Sequence, residues 1–392
     1  MKKILAMLLA LVMVMGLVAC GTDAPETTAP VETTPAESTP AESTPAVSDV
    51  EYKIAMITDY GDITDQSFNQ TTYEAVKAFS EANGVAYNYY KPSGDSTAER
   101  IAMVDAAIVD GYNVIVMPGF AFGETLAEVA DLYPEIKFIA LDVAEGEGGF
   151  AATENVFSAV YQEELSGYMA GYAAVKLGYK HLGYLGGMAV PAVQRFGYGY
   201  LQGIDAAAKE LGIVGDIKVE YVYGNQFYGD ADITAVMDTW YGEKGVECVF
   251  ACGGGIWSSA AEAAAKVGGK VIGVDVDQAA IIDAAYGEGM TVTSAMKGLA
   301  PTVNTLLTAI VLEDNWAAYA GKIETLGLVS ADPEANYVQI PMASTQFAEG
   351  FTAEDYSALV AAMFEGTVTV SGDIAEFPTT EVAVETYADI KG

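Results

Sequence analysis

Histidine is nearly missing from this chain: His181 is the single one in 392 residues, beside three cysteines and 18 Lys plus Arg. One imidazole excludes zinc sites built on histidine. Cys248 and Cys252 share the apolar run 246–252. On a strand, four residues of separation put them roughly 13 Å apart, too far for a disulfide, so they read as small buried hydrophobes. His181 stands just before a strand pattern and reads as a structural or solvated edge residue. The scarcity of cations against 54 Asp plus Glu, a net charge of −36, excludes nucleic acid and anionic membrane surfaces as partners, since phosphate binding needs clustered Lys and Arg. The run Gly253-Gly254-Gly255 lacks a following Lys-Ser or Lys-Thr, so it is not a phosphate loop of the Walker kind. It suits close backbone approach instead.

What is present begins with Lys2 and Lys3, an apolar stretch from Ile4 to Val18, and Leu17-Val18-Ala19-Cys20. A basic start, a short apolar run and small residues before a cut form a secretory signal. The run of about 15 residues is short of the roughly 20 that a membrane-spanning helix needs. The cysteine directly after the small residues resembles a bacterial lipoprotein signal, with residues 1–19 removed and Cys20 lipidated, which tethers the protein outside the cytoplasmic membrane. Residues 20–50 are rich in Pro, Thr, Ser and Glu, repeat PAEST and hold no aromatic residue. Such a segment buries too little apolar surface to offset chain entropy, and reads as a disordered stalk with a reach of roughly 30–90 Å.

From Tyr52 short apolar runs alternate with helix-length amphipathic ones. Strands are expected at Tyr52–Thr58, Val85–Tyr90, Val114–Met117, Phe138–Leu141, Leu182–Leu185, Val219–Val222, Val246–Ala251 and Val271–Val274. Helices are expected at Ser67–Ala82, Ala98–Val109, Ser158–Leu177, Val190–Leu211, Ile233–Tyr241 and Ser258–Val267. Strand–helix alternation of this kind predicts an α/β fold with parallel sheets. One series ends near Ala152 and a second begins at His181, which predicts two doubly wound lobes with a cleft between them.

Ligands of parallel α/β sheets bind outside the carboxyl ends of the strands. Those ends carry Asp59, Asp62 and Asp65 after the first strand, Asp142 after the fourth, Gly253 and Gly254 after the seventh, Asp275 and Asp277 after the eighth, and Lys297 after a later one. Phe68, Phe120, Phe122 and Phe227 accompany them. Carboxylates accept hydroxyl hydrogen bonds and aromatic faces sandwich planar rings, so the set suits a ligand that is part sugar and part heterocycle. Each residue also has a plainer reading. Asp59 could cap the first helix, a task that suits Asp65 better. Phe68 could be core, Phe227 an exposed loop aromatic, and Asp275 with Lys297 a surface ion pair. Phe120 and Phe122 read as packing; Gln194 and Arg195, beside Phe196, could line the cleft but read first as helix surface.

At these residues the chain resembles the BMP family of bacterial substrate-binding lipoproteins, whose best-known members are purine-nucleoside receptors of ABC importers. The resemblance runs from Ile54 to about Pro341 and is carried by Thr58–Gln70, by Gly186-Gly187-Met188-Ala189-Val190-Pro191 with Phe196 and Gly203, by Ile272–Gln278 and by Thr293–Lys297. It implies a type I periplasmic-binding-protein fold whose lobes are joined by crossing segments: 51–155 with about 278–318, and 156–277 with about 319–392. It further implies Asp59 and Asp142 on the base, Phe68 and Phe227 stacked on its faces, Asn69 as a polar contact, Asp275 on ribose hydroxyls, Lys297 on the sugar, and close backbone approach at Gly253 and Gly254. Tyr60 stands where the family often has a small or polar residue, and 224–227 departs from the usual spacing.

The expectation is a monomeric, non-catalytic receptor without cofactor or metal that hands a nucleoside to an ABC permease and its ATPase. Alternatives are a pentose-binding protein or ligand sensor on the same fold. A more remote one is a calcium-dependent nucleoside hydrolase, because Asp59, Asp62 and Asp65 superficially resemble the acidic start of such enzymes.

Overall fold

Apolar runs, mostly of five or six residues, lay down two largely parallel sheets in a computed structural model that describes residues 50–392. The expectations for the signal, Cys20 and nearly all of the stalk lie outside the described residues. The first run of elements is β1 (Lys53–Ile57), α1 (Phe68–Asn83), β2 (Ala86–Tyr90), α2 (Thr97–Val109), β3 (Val114–Pro118), α3 (Phe122–Val129), β4 (Lys137–Leu141) and β5 (Val156–Tyr161). The second is α4 (Glu163–Lys176), β6 (His181–Gly186), α5 (Pro191–Leu211), β7 (Lys218–Tyr223), α6 (Ala231–Thr239), β8 (Cys248–Cys252), α7 (Trp257–Ala265), β9 (Lys270–Asp275), α8 (Ala279–Tyr286) and β10 (Thr291–Lys297). The chain ends with α9 (Leu299–Leu307), β11 (Lys322–Leu326), β12 (Val338–Gln339), α10 (Ala353–Phe364) and β13 (Ala383–Thr386).

Sheet one has the order β11-β5-β4-β3-β1-β2, and sheet two β12-β10-β9-β8-β6-β7-β13. Pairing is parallel throughout except between β10 and β12. Central strands such as Val114–Pro118 and Cys248–Cys252 are buried at every position, as both-face coverage of a parallel sheet requires. Each sheet carries apolar clusters on its two faces. The architecture is thus the α/β, two-lobed periplasmic-binding-protein fold that the pattern and the resemblance predict.

The lobe boundaries fall elsewhere than expected. Residues 156–161, expected in the second lobe and from Ser158 as helix, form β5 of sheet one. Their apolar run Val-Phe-Ser-Ala-Val-Tyr abuts α4 with only Gln162 between, so the two patterns merge in sequence. β10, expected in the first lobe, pairs with β9 in sheet two. β11, expected in the second, pairs with β5; half-exposed Lys-Ile-Glu-Thr-Leu at a sheet edge gives little signal. The chain therefore crosses between lobes after β5, after β10 and after β11, and Leu165 and Leu328 pack against the cores of both.

Close packing of α4 on α5 fixes the first crossing. A methyl group on Gly167 or Gly171 would lie 2.2 Å from the carbonyl oxygen of Phe196 or Tyr200, and one on Gly203 2.1 Å from that of Tyr168. Only glycine lets the two backbones come this near, which is the physical reason for Gly203 in the motif. At the other end of sheet one, Asp65 collars α1: its carboxylate accepts from the backbone N–H of Ser67, Asn69 and Gln70. Donors otherwise orphaned at a helix start are thereby met, so Asp65 rather than Asp59 is the cap.

Candidate functional site

Strand ends of both sheets converge on one cavity of about 640 Å³, within the roughly 300–1,000 Å³ usual for small-molecule sites. Asp59, Phe68, Asn69, Asp142, Phe227, Gly253, Gly254, Asp275 and Lys297 all line it. So do Tyr60, Asp65, Phe120, Phe196, Tyr228 and Trp257. Phe122, two residues past Phe120, is instead sealed in the core beneath sheet one.

Lys297 is the electrostatic centre. Its ammonium lies 2.5 Å from Asp142 Oδ2 and 3.6 Å from both Glu163 Oε1 and Asp275 Oδ1, and 4.6 Å from the centroid of the Phe68 ring. Glu163 Oε2 accepts from Arg195 Nε at 2.6 Å, and Asp275 Oδ2 from Ser67 Oγ at 2.6 Å. Burial works against the charge on Lys297, but Asp142, Asp275 and Glu163 outweigh it and push its pKa up. The ammonium therefore stays protonated. Burial pushes the Asp142 carboxyl up as well, against the pull of Lys297. Three acids around two cations leave the cluster one negative charge in excess, which is carried most easily if an acid can take a proton.

Asp142 and Asp275 end their strands with φ of 63° and 66°, left-handed values that Asp tolerates better than most side chains. This turn directs the chain away just past each carboxylate. Asp59 Oδ1 accepts from the N–H groups of Tyr60 and Gly61 at 2.7 and 2.8 Å, and burial nonetheless raises its pKa. Asn69 Oδ1, Asp142 Oδ1 and Trp257 Nε1 are buried with no hydrogen-bond partner. Buried polar atoms are rarely left so in native proteins.

The lobes also touch across the cleft. Besides Ser67 with Asp275 and Asp142 with Lys297, Gln278 Nε2 donates to the Gln66 carbonyl at 3.1 Å and the Tyr60 hydroxyl donates to Met188 Sδ at 3.1 Å. The Tyr60 and Phe227 rings stand 6.4 Å apart and tilted by 33°. Phe227 itself packs so closely on the glycines of neighbouring strand ends that a methyl on Gly187 would sit 2.3 Å from its ring.

A family model described as "ABC transporter substrate-binding protein PnrA-like", Bmp, matches residues 52–331. The chain belongs to the Bmp family. Among its relatives is the ABC transporter nucleoside-binding protein BmpA of Lactococcus lactis subsp. cremoris, 29% identical over 241 residues, 58% of this chain. The match spans 65% of that protein's own length, a little under two thirds. Basic membrane protein B of Borreliella afzelii is 27% identical over 292 residues, 70% of this chain and 78% of that protein. In fold, the chain matches the crystal structure of ABC transporter system solute-binding proteins from Aeropyrum pernix K1 with a TM-score of 0.63 and 23% identity, over 81% of this chain and 87% of that one.

Some features in and around the cavity of this Bmp-family chain carry little sequence signal. Arg195, expected first on a helix surface, is largely buried against Glu163, whose side chain is fully buried. The sequence hint for Glu163 is a pair of acids placed directly after the apolar run Val156–Tyr161 and Gln162. Trp257 follows the Gly253–Gly255 run by two residues, so the strand-end rule carried slightly further would have reached it. The acids that resemble a calcium site are engaged separately: Asp62 is exposed and paired with Lys91 at 2.7 Å, Asp65 caps α1, and Asp59 binds backbone. Among the described residues no group of three His, Cys, Asp or Glu is arranged to hold a metal ion. His181 Nε2 lies 2.9 Å from Glu220, away from the cavity, and both described cysteines are free and buried. No described helix is long and apolar enough to cross a membrane.

Proposed function

We propose that the protein is the extracytoplasmic, lipid-anchored receptor of an ABC importer and that it binds a nucleoside, with a purine base, between its lobes. One observation carries the reading: a single cavity is walled by carboxylates from both lobes, Asp59 and Asp142 from the first and Asp275 from the second, together with the rings of Phe68 and Phe227. Acids that accept hydroxyl and N–H donors, beside flat apolar faces, suit ribose joined to a base. In this reading Asp59, Asn69 and Asp142 contact the base and Phe68 and Phe227 flank it. Asp275 takes the ribose hydroxyls, Lys297 contacts the sugar, and the backbone at Gly253 and Gly254 lies against the ligand. The name of the Lactococcus relative supports the ligand class, and the Leu17–Cys20 motif supports the anchor. The receptor passes its ligand to a permease and its ATPase and breaks no bond.

Closure follows from bridging. A ligand touching both walls favours the closed arrangement by its differential affinity for it. Two aromatic contacts of about 1 kcal/mol and several charge-assisted hydrogen bonds of about 1.5–3 kcal/mol each, less ordering costs, reach micromolar affinity, about −8 kcal/mol. Two ammonium groups line the cavity, and each is already engaged, Lys297 with Asp142 and Lys91 with Asp62, so a phosphate ester finds no free cation among the acids. Calorimetry against inosine, adenosine, AMP, free purine bases and pentoses tests the reading. Inosine or adenosine binds at micromolar or better and AMP far more weakly. Pentose binding without nucleoside binding overturns the ligand, and AMP binding as tightly as adenosine overturns the electrostatic argument.

A further inference from the structure

Residues after 331 lie beyond the family match, yet they return to the edge of sheet two beside the loop that carries Phe227. β13 pairs in parallel with β7 from Ala383 opposite Lys218 to Thr386 opposite Tyr221. The backbone continues in the same track: Tyr387 N–H donates to the Tyr221 carbonyl at 3.0 Å and Ile390 N–H to that of Tyr223 at 2.9 Å. A buried anchor lies beneath. Glu220, 1% exposed, meets His181 Nε2 at 2.9 Å, Lys244 Nζ at 3.0 Å and the Tyr387 hydroxyl. The Tyr387 ring in turn packs against Trp240 with centroids 5.9 Å apart.

Past this anchor, Lys391 reaches the Phe227 loop from both of its polar ends. Its carbonyl accepts from Asn225 Nδ2 at 3.1 Å. Its ammonium lies 2.8 Å from Asp230 Oδ2 and also binds Asp232. Asp230 Oδ2 accepts from Gln226 Nε2 at 3.1 Å. The residues just before Phe227 are thus tied to Lys391, Asn225 directly and Gln226 through Asp230. Asn225 has a φ of 58°, a left-handed conformation that asparagine adopts more readily than most side chains. Among the described residues, none after Lys297 lines the cavity, so any effect of this segment on the ligand must pass through the loop.

We infer that residues 383–391 are a strap that positions Phe227, with Lys391 and Asn225 as positioning residues that set how long the ligand is held. The inference rests on the reading that Phe227 contacts a nucleoside. Holding a ring in place lowers the ordering cost of binding, and changes of this kind appear in the dissociation rate more than in the association rate.

The test uses the full chain and inosine, with calorimetric Kd, stopped-flow dissociation and thermal unfolding of the ligand-free protein. Lys391→Ala weakens inosine binding about two- to fivefold, the factor that matches an exposed ion pair, and speeds dissociation by the same factor. Lys391→Arg restores both. The charge exchange Lys391→Glu with Asp232→Lys restores them in part. A merely structural contribution would not produce a further sign: raising salt weakens wild-type binding of this uncharged ligand toward the Lys391→Ala value, while the variant responds little. Asn225→Asp, which removes the donor to the Lys391 carbonyl while keeping a side chain tolerant of positive φ, moves affinity in the same direction. Unchanged affinity and dissociation in Lys391→Ala and Asn225→Asp, with Phe227→Ala weakened, overturns the strap and leaves the nucleoside reading standing. Wild-type affinity in Phe227→Ala removes the premise for the strap, and no nucleoside binding by the wild type removes the function itself.

Discussion

Glu164 offers a test of the hinge-side electrostatics that does not depend on any ligand. It stands in the first turn of α4, 5% exposed, with Oε2 buried and unpaired. Burial is the main cause that pushes its carboxyl up from 4.5 to about 7; its own backbone N–H and Arg195 pull it down, and Glu163 adds to the rise. One pKa unit is about 1.36 kcal/mol, so the ionised side chain costs the folded state about 3 kcal/mol. The positive end of α4 favours the anion by roughly 0.3–1 kcal/mol, which brings the expected figure to about 2–3 kcal/mol. The sign follows from proton uptake: the folded state binds this proton more tightly than the unfolded state. The associated stability is fully present below about pH 4.5 and is lost as pH rises through about 7. Glu164→Gln replaces the neutral form with a near isostere. Urea unfolding should therefore show it more stable than the wild type by about 2–3 kcal/mol at pH 8, and by less than about 1 kcal/mol at pH 5. A gain that is equal at both pH values, or a loss at pH 8, refutes the claim that burial governs this carboxyl.

Two further substitutions probe the cavity wall. Lys297→Met leaves Asp142, Asp275 and Glu163 facing one another with Arg195 as their remaining cation, and breaking a buried pair of this kind costs about 3–5 kcal/mol; the melting temperature should fall sharply at pH 8 and recover in part on acidification toward pH 5, and a melting curve unchanged at both pH values contradicts the network. Gly253→Ala adds a methyl 2.9 Å from Phe227 Cδ1 and 3.0 Å from Gly187 Cα at a φ of 154°. It should weaken inosine binding by about 1–3 kcal/mol in calorimetry while circular dichroism is unchanged, and wild-type affinity contradicts the close approach.

How far the sequence carries is best seen at the strand ends. Asp142 and Asp275 stand one residue beyond or at the last position of buried runs whose length and composition mark them as central strands, and topology alone then brings both to the cleft. That argument needs only local pattern, and the nine expected residues all line one cavity. It fails where partners are chosen over long range. β5 and α4 merge because an apolar run and an amphipathic run meet at Gln162, and nothing local tells β10 and β11 which sheet to join. The strap is silent for the same reason: Ala383–Thr386 is short and mostly exposed, and its partner β7 lies far back in the sequence. Asp275 and Lys297 show the most instructive mixture. An ion pair and a pair of ligand contacts looked like competing explanations from sequence, yet the two side chains sit 3.6 Å apart in a buried cluster that also lines the cavity. The pairing is compatible with the ligand contacts proposed for the two residues. Ser67 Oγ donates to Asp275 Oδ2 at 2.6 Å and Lys297 Nζ stands 3.6 Å from Oδ1, so the carboxylate that the proposed function sets against the ribose is oriented before any ligand arrives.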